Sequence, residues 1–237
     1  MNRLIIDGTK GISGNSLLGA ALSLGLPLTL LKESCECLLG ANKVNFRVEK
    51  YKEIVYFNTI TLEAGKQVDV LKATDVLRML EASSLEEGLK KKTEMILRAL
   101  FDSKARAHGE PLAEVQFRYE GMLDTIVDAL GAALTLTYFK AQKFLVSGPV
   151  ETGSGSIRLP HRELPIPVPM VTLLLEGFHW EKGYYNGEKI TPTGAAILKV
   201  FAKEIIPAEY SAGKKGYSFP TIPYEEKDCF SLTLQED

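Results

Sequence analysis

One predicted helix constrains this fold more than any other stretch, because it is apolar around most of its circumference. The helix runs from about Met122 to Lys140. Its broad apolar face contains Leu123, Ile126, Val127, Leu130 and Leu134, and Ala129, Ala132, Ala133 and Leu136 extend that face around most of the rest. A helix that is hydrophobic on nearly all sides belongs in a protein interior. The sequence therefore predicts a mostly buried helix here.

A narrow polar stripe remains on that helix, and it consists of Asp124, Asp128, Gly131 and Thr135. The two aspartates are four residues apart, a spacing that puts like charges on one helix face, where they repel each other. Asp124 also lies in the first predicted turn, where the helix dipole favours an acid. Two interpretations are open. The stripe is either the solvent edge of the helix or a carboxylate pair that faces a cleft and holds a cation.

Short strands and helices fill the rest of the chain. The run from Arg3 to Gly8 predicts a strand that delivers Asp7 to a loop. Residues 43–53 and 54–64 alternate apolar and polar side chains, which predicts a pair of strands. Because the strands and helices do not alternate as regular βαβ units, the pattern indicates an α+β fold with a ligand cleft and no regular doubly wound sheet.

The chain has 237 residues, which is enough for one large domain or two small ones. The only plausible boundary is a polar bridge near Gly65–Ala73. It predicts an N-terminal α+β lobe over residues 1–70. The larger lobe, residues 71–237, carries the aspartate helix and a glycine- and proline-rich loop.

Composition excludes several classes of partner. A net charge of −2 provides no basic field, which argues against a nucleic-acid partner. The three cysteines are an odd number without framework spacing, which is typical of a reducing cytoplasm. The N-terminus lacks the features of a signal peptide, and the apolar runs are too short to span a bilayer. We therefore expect a soluble cytoplasmic protein with no membrane partner.

Two further segments could bind an anion. In the stretch "ETGSGSIRLPHRELP", Gly153 and Gly155 could present N–H groups to a phosphate or carboxylate, and His161 is held between prolines. In "ITPTGAA", Thr191 can cap a helix whose start, with Thr193 and Gly194, offers free N–H groups. A plain loop and ordinary helix capping are the alternative interpretations of these two segments.

The stretch "IIDGTKGISGN" also resembles a loop built around a ligand. It follows the first strand and contains Asp7, Ser13, Gly14 and Asn15. It lacks the Gly-Lys-Ser/Thr ending of a P-loop, so it does not predict nucleoside triphosphate binding.

Taken in order, these motifs resemble the LarC family of nickel-insertion proteins over essentially the whole chain. The carrying stretches are "D…GISG", "AHG…F…G-x-x-D-x-IVD…GAA", "GSG…H…LPxPxP" and "E…TPTGAA". The resemblance implies a metallochelatase that inserts nickel into a pyridinium mononucleotide bearing two thiocarboxylate arms, in a CTP-dependent reaction. It also implies functional positions at Asp7, Ser13, Gly14, His108, Phe117, Gly121, Asp124, Asp128, Gly155, His161, Glu188, Thr191 and Thr193.

We assign candidate roles on this basis. The expected metal ligands are Asp7, Asp124, Asp128, His161 and His108. The expected ligand-binding residues are Ser13, Gly14, Asn15, Arg118, Gly153, Gly155, Glu188, Thr191, Thr193 and Gly194.

The chain departs from the family pattern at several positions. Gln116, Phe117, Arg118 and Tyr119 stand where the family has His-Phe-His-Glu, and Asn15 stands where it has Asp. The usual histidine-rich stretch after the second strand is replaced by "AGKQVDVLKA". The sequence stops where family members usually continue into a C-terminal domain associated with the nucleotide. Some members are encoded as two separate pieces, so this chain could be an N-terminal piece.

These departures keep two alternatives open. In the first, the protein is a non-catalytic homologue that binds a nucleotide-like ligand or a partner protein, and Arg118 has replaced the metal by pairing with Asp124 and Asp128. Arginine is permanently charged and cannot ligate a metal. In the second, the chain is a subunit whose C-terminal partner carries the nucleotide chemistry.

Overall fold

A mixed sheet forms one layer of the protein. The computed structural model describes residues 2–61, 69–159, 162–202, 204–207, 212–219 and 229–236. Within these ranges, the sheet contains seven strands, which are β1 (Arg3–Asp7), β2 (Val44–Tyr51), β3 (Ile54–Thr61), β6 (Phe144–Ser147), β13 (Glu204–Ile206), β14 (Lys214–Ser218) and β15 (Phe230–Gln235). Their order across the sheet is β13-β6-β1-β15-β14-β3-β2.

The sheet combines parallel and antiparallel neighbours. Strand β6 runs parallel to both β1 and β13, whereas β15 runs antiparallel to β1 and β14. Strands β2 and β3 form the predicted pair, antiparallel from Val44↔Thr61 to Tyr51↔Ile54. Together with the helices this confirms the α+β class.

Four small two-stranded sheets lie outside this layer. The first joins β4 (Val70–Lys72) to β5 (Gln116–Arg118). The others involve the glycine- and proline-rich loop, and they pair β7 (Val150–Glu151) with β11 (Trp180–Glu181), β8 (Gly153–Ser154) with β12 (Gly187–Glu188), and β9 (Ser156–Leu159) with β10 (Arg162–Pro165).

Seven α-helices occur in the described ranges. They are α1 (Gly14–Leu24), α2 (Leu28–Leu39), α3 (Ala73–Ala82), α4 (Glu87–His108), α5 (Tyr119–Tyr138), α6 (Pro169–Leu174) and α7 (Pro192–Phe201). Helix α1 packs on strands β3, β14 and β15, and α5 packs against α1 on one side and α4 on another. Helix α5 is the predicted apolar helix, although it begins three residues before Met122.

The core surrounds α5, as its composition predicts. Met122, Ile126, Val127, Leu130 and Leu136 have no measurable exposure. Part of the predicted boundary, residues 65–68, lies outside the described residues. The division into lobes at residue 70 stays a prediction. Strands from both sides of that position pair in the large sheet.

Candidate functional site

Asp128 is buried where helix α5 meets the first residue of α1. Its exposed fraction is 4%. An ideal Cβ placed on Gly14 would lie 2.0 Å from the Asp128 Cγ, so only glycine lets α1 begin this close to the carboxyl group. Asp128 therefore faces the N-terminus of α1. Asp124 and Asp128 are called the Asp pair below.

The sequence around Ser13 explains why α1 begins at this point. The Ser16 N–H donates to Ser13 Oγ at 3.1 Å, and the Ser13 N–H donates back to Ser16 Oγ at 3.0 Å. This reciprocal capping satisfies two backbone donors that the first helical turn would otherwise leave unpaired. The cap fixes Gly14 as the first helical residue beside Asp128.

The rest of the polar stripe on α5 is also covered by α1. An ideal Cβ on Gly131 would lie 2.3 Å from a Leu18 methyl carbon. Thr135 is fully buried, and its hydroxyl donates to the Gly131 carbonyl oxygen at 2.7 Å. The interpretation of the stripe as a solvent edge is therefore wrong for Asp128, Gly131 and Thr135. Small and polar residues lie there because a second helix packs against them.

Strand β3 and α1 supply the other polar groups near the Asp pair. Asn15, next to Gly14, is 7% exposed, and its Nδ2 donates to Asn58 Oδ1 at 3.3 Å. Thr59, the next residue on β3, faces the Asp124 carboxylate. The two polar residues of β3 were not predicted. A polar residue in an alternating strand gives no signal of which helix it will meet.

Burial dominates the electrostatics of the Asp pair. It raises the pKa of Asp128 well above the usual value, and repulsion from Asp124 adds to that effect. Burial also raises the pKa of Asp124. The Thr59 hydroxyl opposes the Asp124 pKa shift, at a geometry weaker than a regular hydrogen bond. Neither carboxyl group therefore has a cationic side-chain partner in the described structure.

Three buried side-chain oxygens have no hydrogen-bond partner in the described part of the chain. They are Asn15 Oδ1, Thr59 Oγ1 and Asp128 Oδ1. All three belong to the group of residues around the Asp pair. Buried polar atoms are nearly always paired, so a cluster of unpaired oxygens marks a place that suits a ligand.

Arg118 does not supply that partner, so the predicted Arg118–Asp pairing is wrong. The side chain is exposed at the end of β5, and among the described residues no ion pair or hydrogen bond joins it to Asp124 or Asp128. Arg118 is the N-cap of α5. Six residues of helix rotate the chain by about 240° between it and Asp124, so the two side chains leave different faces.

Of the two candidate histidines, only His108 is described by the structure, and it does not join the Asp pair. His108 is the exposed last residue of α4. His161 lies outside the described residues, as does Pro160. Where side chains are described, no group of three or more His, Cys, Asp or Glu residues lies close enough together to hold a metal ion. Oxygen atoms of amides and hydroxyls would have to complete any ligand set around the Asp pair.

Asp7 lies at the carboxyl end of β1, as predicted, and its carboxylate is occupied locally. It accepts the Thr9 N–H at 3.1 Å and the Thr9 hydroxyl at 2.7 Å. These bonds cap a short 3₁₀ helix, Gly8–Lys10. A role of Asp7 as a metal ligand stays a prediction.

The loop before α1 also contacts the segment that leads into α7. The Ile12 N–H donates to the Lys189 carbonyl oxygen at 3.0 Å, and the Thr191 N–H donates to the Ile12 carbonyl oxygen at 3.0 Å. An ideal Cβ on Gly194 would lie 2.2 Å from that Ile12 oxygen. Glycine is therefore required at the start of α7, where Thr191 Oγ1 also accepts the Gly194 N–H at 3.2 Å.

The glycine-rich turn meets the same segment through β12. Gly153 pairs with Glu188, and an ideal Cβ on Gly153 would lie 1.9 Å from the Gly187 carbonyl oxygen. Gly153 and Gly155 both have positive φ, at 82° and 89°, which glycine adopts without strain. The predicted residues Gly153, Glu188, Thr191 and Gly194 therefore belong to one assembly of loops. Ile12 links it to the Asp pair.

Two charged residues of this assembly were not predicted from the sequence. Lys189 Nζ lies 2.8 Å from Glu151 Oε2, and their side chains are only 11% and 21% exposed. Beside them, burial raises the pKa of Glu188 to about 7. The two members of the ion pair are 38 residues apart in the chain, so no local pattern predicts their contact.

Fold and site together define an α+β protein in which a buried carboxylate, without a partner in the described structure, lies near glycine-lined loops. A family model described as nickel insertion protein matches residues 4–234. The chain therefore belongs to the nickel insertion protein family, which confirms the resemblance found in its sequence motifs.

Individual relatives agree with this assignment. A curated protein of Clostridium kluyveri, named pyridinium-3,5-bisthiocarboxylic acid mononucleotide nickel insertion protein, is 30% identical over 100% of this chain and 62% of its own length. A protein of the same name from Staphylococcus saprophyticus is 29% identical over 93% of this chain and 58% of its own length. A relative from Dictyoglomus thermophilum, also named for nickel insertion, is 30% identical over 94% of this chain and 59% of its own length.

The chain thus spans about three fifths of the length of the curated relatives it matches. No solved structure matches it significantly. In the portion that the structure describes, no helix combines the length and the apolar character needed to cross a membrane.

Proposed function

We propose that this chain is the nickel-handling part of a protein that inserts nickel into pyridinium-3,5-bisthiocarboxylic acid mononucleotide. Two relatives carry that activity in their names. The observation that carries the proposal is the Asp pair, where Asp128 is 4% exposed and Asp128 Oδ1 has no partner among the described residues. A buried carboxylate without a counter-charge is stable only if it is protonated or meets a cation.

The donor atoms suit a transient nickel site. Nickel is the cargo of this reaction, and the Asp pair offers it only oxygen ligands. Borderline metals such as nickel bind imidazole and sulfur donors better than carboxylate oxygens. A weak oxygen site can therefore release nickel to the thiocarboxylate sulfurs of the substrate, which makes transfer favourable. Asp124, the more exposed acid, would meet incoming nickel before Asp128 does.

The loop assembly is the proposed site of the mononucleotide. Gly153 and Gly155 offer a backbone without side chains, and α7 begins beside them with its N-terminal dipole. Such elements bind anions, so a phosphate is the part of the substrate that we expect there. Glu188 can be protonated near neutral pH, because its pKa is raised to about 7, and protonation reduces its repulsion of the phosphate. Ile12 connects this assembly to α1, and therefore to the Asp pair.

CTP and a C-terminal domain belong to the same proposal. The relatives extend beyond the part that this chain matches, and we propose that this further part carries the CTP-dependent step. The alternative of a non-catalytic homologue rested on the lost family histidines and on Arg118 as a built-in cation, and the exposed position of Arg118 removes the second of these supports.

The direct test is nickel transfer. The chain is incubated with Ni²⁺, CTP and the pyridinium bis-thiocarboxylate mononucleotide, with and without a separately expressed C-terminal domain of a relative. Mass spectrometry then measures the nickel-containing product. We expect product only when the C-terminal domain is present, and none with Asp128→Asn. The matched control is Asp102→Asn, the same change at an exposed position of α4, and it should retain activity.

Nickel binding by the isolated chain provides a second measurement. We expect a Kd of about 1 μM or weaker, roughly −8 kcal/mol, because the described ligands are oxygens. Calorimetry that shows stoichiometric nanomolar binding would contradict the transient oxygen site. A complete assay mixture that binds nickel but forms no product would contradict the proposed activity.

A further inference from the structure

We infer that Asn15 and Asn58 complete a divalent-cation site with the Asp pair. In this site Asn15 Oδ1 and Asp128 Oδ1 are ligands, Asp124 adds charge, and Asn58 holds the Asn15 amide in the binding orientation. Its donors are all oxygens, so it accepts hard cations such as Mg²⁺ and Mn²⁺. The inference rests on the proposed function for the location of the Asp pair, but it does not require nickel transfer.

A hydrogen bond to Asn58 fixes the orientation of the Asn15 amide. Its Nδ2 donates to Asn58 Oδ1 at 3.3 Å, which leaves the amide oxygen as the other end of the group. That oxygen is buried and unpaired in the described structure, and the Asn15 residue is only 7% exposed. A free amide oxygen would ordinarily meet a donor or water. Because Nδ2 is bonded to Asn58, the unpaired Oδ1 of Asn15 is left buried in the protein interior.

The Asp128 carboxyl group lies against the start of α1. Gly14, the residue before Asn15, is in direct contact with the Asp128 carboxyl group. Asp128 Oδ1 is buried and has no partner where side chains are described. The start of α1 and the neighbouring face of α5 thus each contribute one unpaired acceptor. Neither can serve the other while Asp128 is ionised, because both oxygens then only accept hydrogen bonds.

The charges around the Asp pair come from the two acids and from the N-terminus of α1. The N-terminus of α1 beside Asp128 supplies the equivalent of roughly half a positive charge. The facing elements α1, α5 and β3 contribute Asp124 and Asp128 as their charged groups at this point, together with the neutral Asn15, Asn58 and Thr59. A bound divalent cation would neutralise both acids and satisfy the unpaired oxygens at once.

The chemistry of the donors sets the class of cation. Carboxylate, amide and hydroxyl oxygens suit Mg²⁺, Mn²⁺ and Ca²⁺, whereas imidazole or thiolate ligands would favour zinc, nickel or copper. A small set of protein oxygens leaves room for several waters, which Mg²⁺ and Mn²⁺ usually retain. The site can therefore bind nickel, but its oxygen ligands do not favour nickel over Mg²⁺ or Mn²⁺.

The test uses Asn15→Asp, which places a third carboxylate beside the Asp pair. Without divalent cations the added charge should lower the Tm through repulsion. With Mg²⁺ or Mn²⁺ the loss should be reversed, and the Tm should rise by about 5–10 °C at about a hundredfold excess over Kd. The matched control is Asn45→Asp, the same change at an exposed position of β2, whose Tm should respond to Mn²⁺ only as much as the wild-type Tm does.

Asn58→Ala tests the positioning role separately. Loss of a residue that orients a metal ligand should weaken Mn²⁺ binding by about 10–100-fold. Mn²⁺ titration followed by electron paramagnetic resonance measures this directly. A merely structural role would lower the Tm equally with and without Mn²⁺ and leave the Mn²⁺ affinity unchanged.

Two results would overturn the inference. The first is an Asn15→Asp protein whose Tm falls equally in Mg²⁺, Mn²⁺ and EDTA, since Asp128 would then hold only a proton. The second is wild-type protein that binds no Mn²⁺. If Mn²⁺ binds as expected but the complete transfer assay yields no nickel product, the proposed function fails and this inference holds. If nickel is transferred but Mn²⁺ does not bind, the proposed function holds and this inference fails.

Discussion

Two regions of this protein remove a carboxylate from water. Only one of them provides that carboxylate with a cationic side chain. In the loop assembly, Glu151 lies 2.8 Å from Lys189. On helix α5, Asp128 is more deeply buried, yet its Oδ1 has no partner in the described structure. The first carboxylate receives its counter-charge from the chain itself, whereas the second does not.

The difference separates a structural charge from a binding site. Removal of a carboxylate from water is unfavourable by several kcal/mol unless a cation or hydrogen bonds compensate for it. Lys189 provides that compensation permanently, so the Lys189–Glu151 pair holds the loops together. The Asp pair keeps its oxygens available and is stabilised only when a proton or an external cation arrives. Four measurements test this contrast.

The largest effect is expected from Lys189→Ala. It leaves Glu151 partly buried without a partner, which should lower the free energy of unfolding by about 3 kcal/mol. The matched control is Lys143→Ala, because the side chains of the Lys143–Glu204 pair are 55% and 53% exposed. That control should cost at most about 1 kcal/mol. Chemical denaturation measures both, and equal losses would show that the Lys189–Glu151 pair is no more structural than a surface pair.

Gly14→Ala tests how closely α1 approaches the unpaired carboxylate. The new Cβ would overlap the Asp128 carboxyl group, so α1 or Asp128 must move, at a cost of about 1–3 kcal/mol. Gly121→Ala is the same change on α5 at a position with no neighbouring atoms within 4 Å. Because alanine favours a helix, it should stabilise by up to about 1 kcal/mol. Thermal denaturation that shows the same sign for both variants would contradict the close contact.

The pH dependence of stability is expected to report the acids whose pKa is raised by burial. Burial raises the folded-state pKa of Glu188 from its usual 4.5 to about 7, so the folded protein holds a proton that the unfolded chain releases. Stability should therefore fall as pH rises from about 4.5 to about 7, and Asp128 contributes in the same direction because its pKa is also raised. Solvent screening of the partly exposed Glu188 makes this effect smaller than the two above.

Glu188→Gln should flatten that slope, as measured by the Tm across the same pH window. The exposed Glu33→Gln on α2 is the control and should leave the profile unchanged. A wild-type Tm that rises steadily through the window would show that acids with a lowered pKa dominate over acids with a raised pKa.

The smallest effect is expected from Arg118→Ala. An arginine paired with the Asp pair would cost about 3–5 kcal/mol to remove. Since the side chain is exposed and lies away from Asp124 and Asp128, the change in unfolding free energy should stay within about 0.5 kcal/mol. Urea denaturation distinguishes these values, and a large loss would restore Arg118 as the missing cation.

The amino-acid sequence was sufficient for the local features of this protein. The apolar periodicity of α5, the alternation of β2 and β3, and the cap at Thr191 depend on residues within a few positions of each other. The same periodicity located the Asp pair on one face. The order of the motifs along the chain was specific enough, without any tertiary contact, to indicate the nickel insertion family.

What that face of α5 meets depends on tertiary packing. The four-residue spacing of the Asp pair does not reveal whether Asp128 faces solvent, Arg118 or the start of α1. The contacts Asn15–Asn58 and Lys189–Glu151 span 43 and 38 positions of the chain. Such pairs form because helices and loops pack at particular distances, and local composition carries no record of those distances. The packing of α1 against α5 therefore decides which buried charge is paired and which stays available.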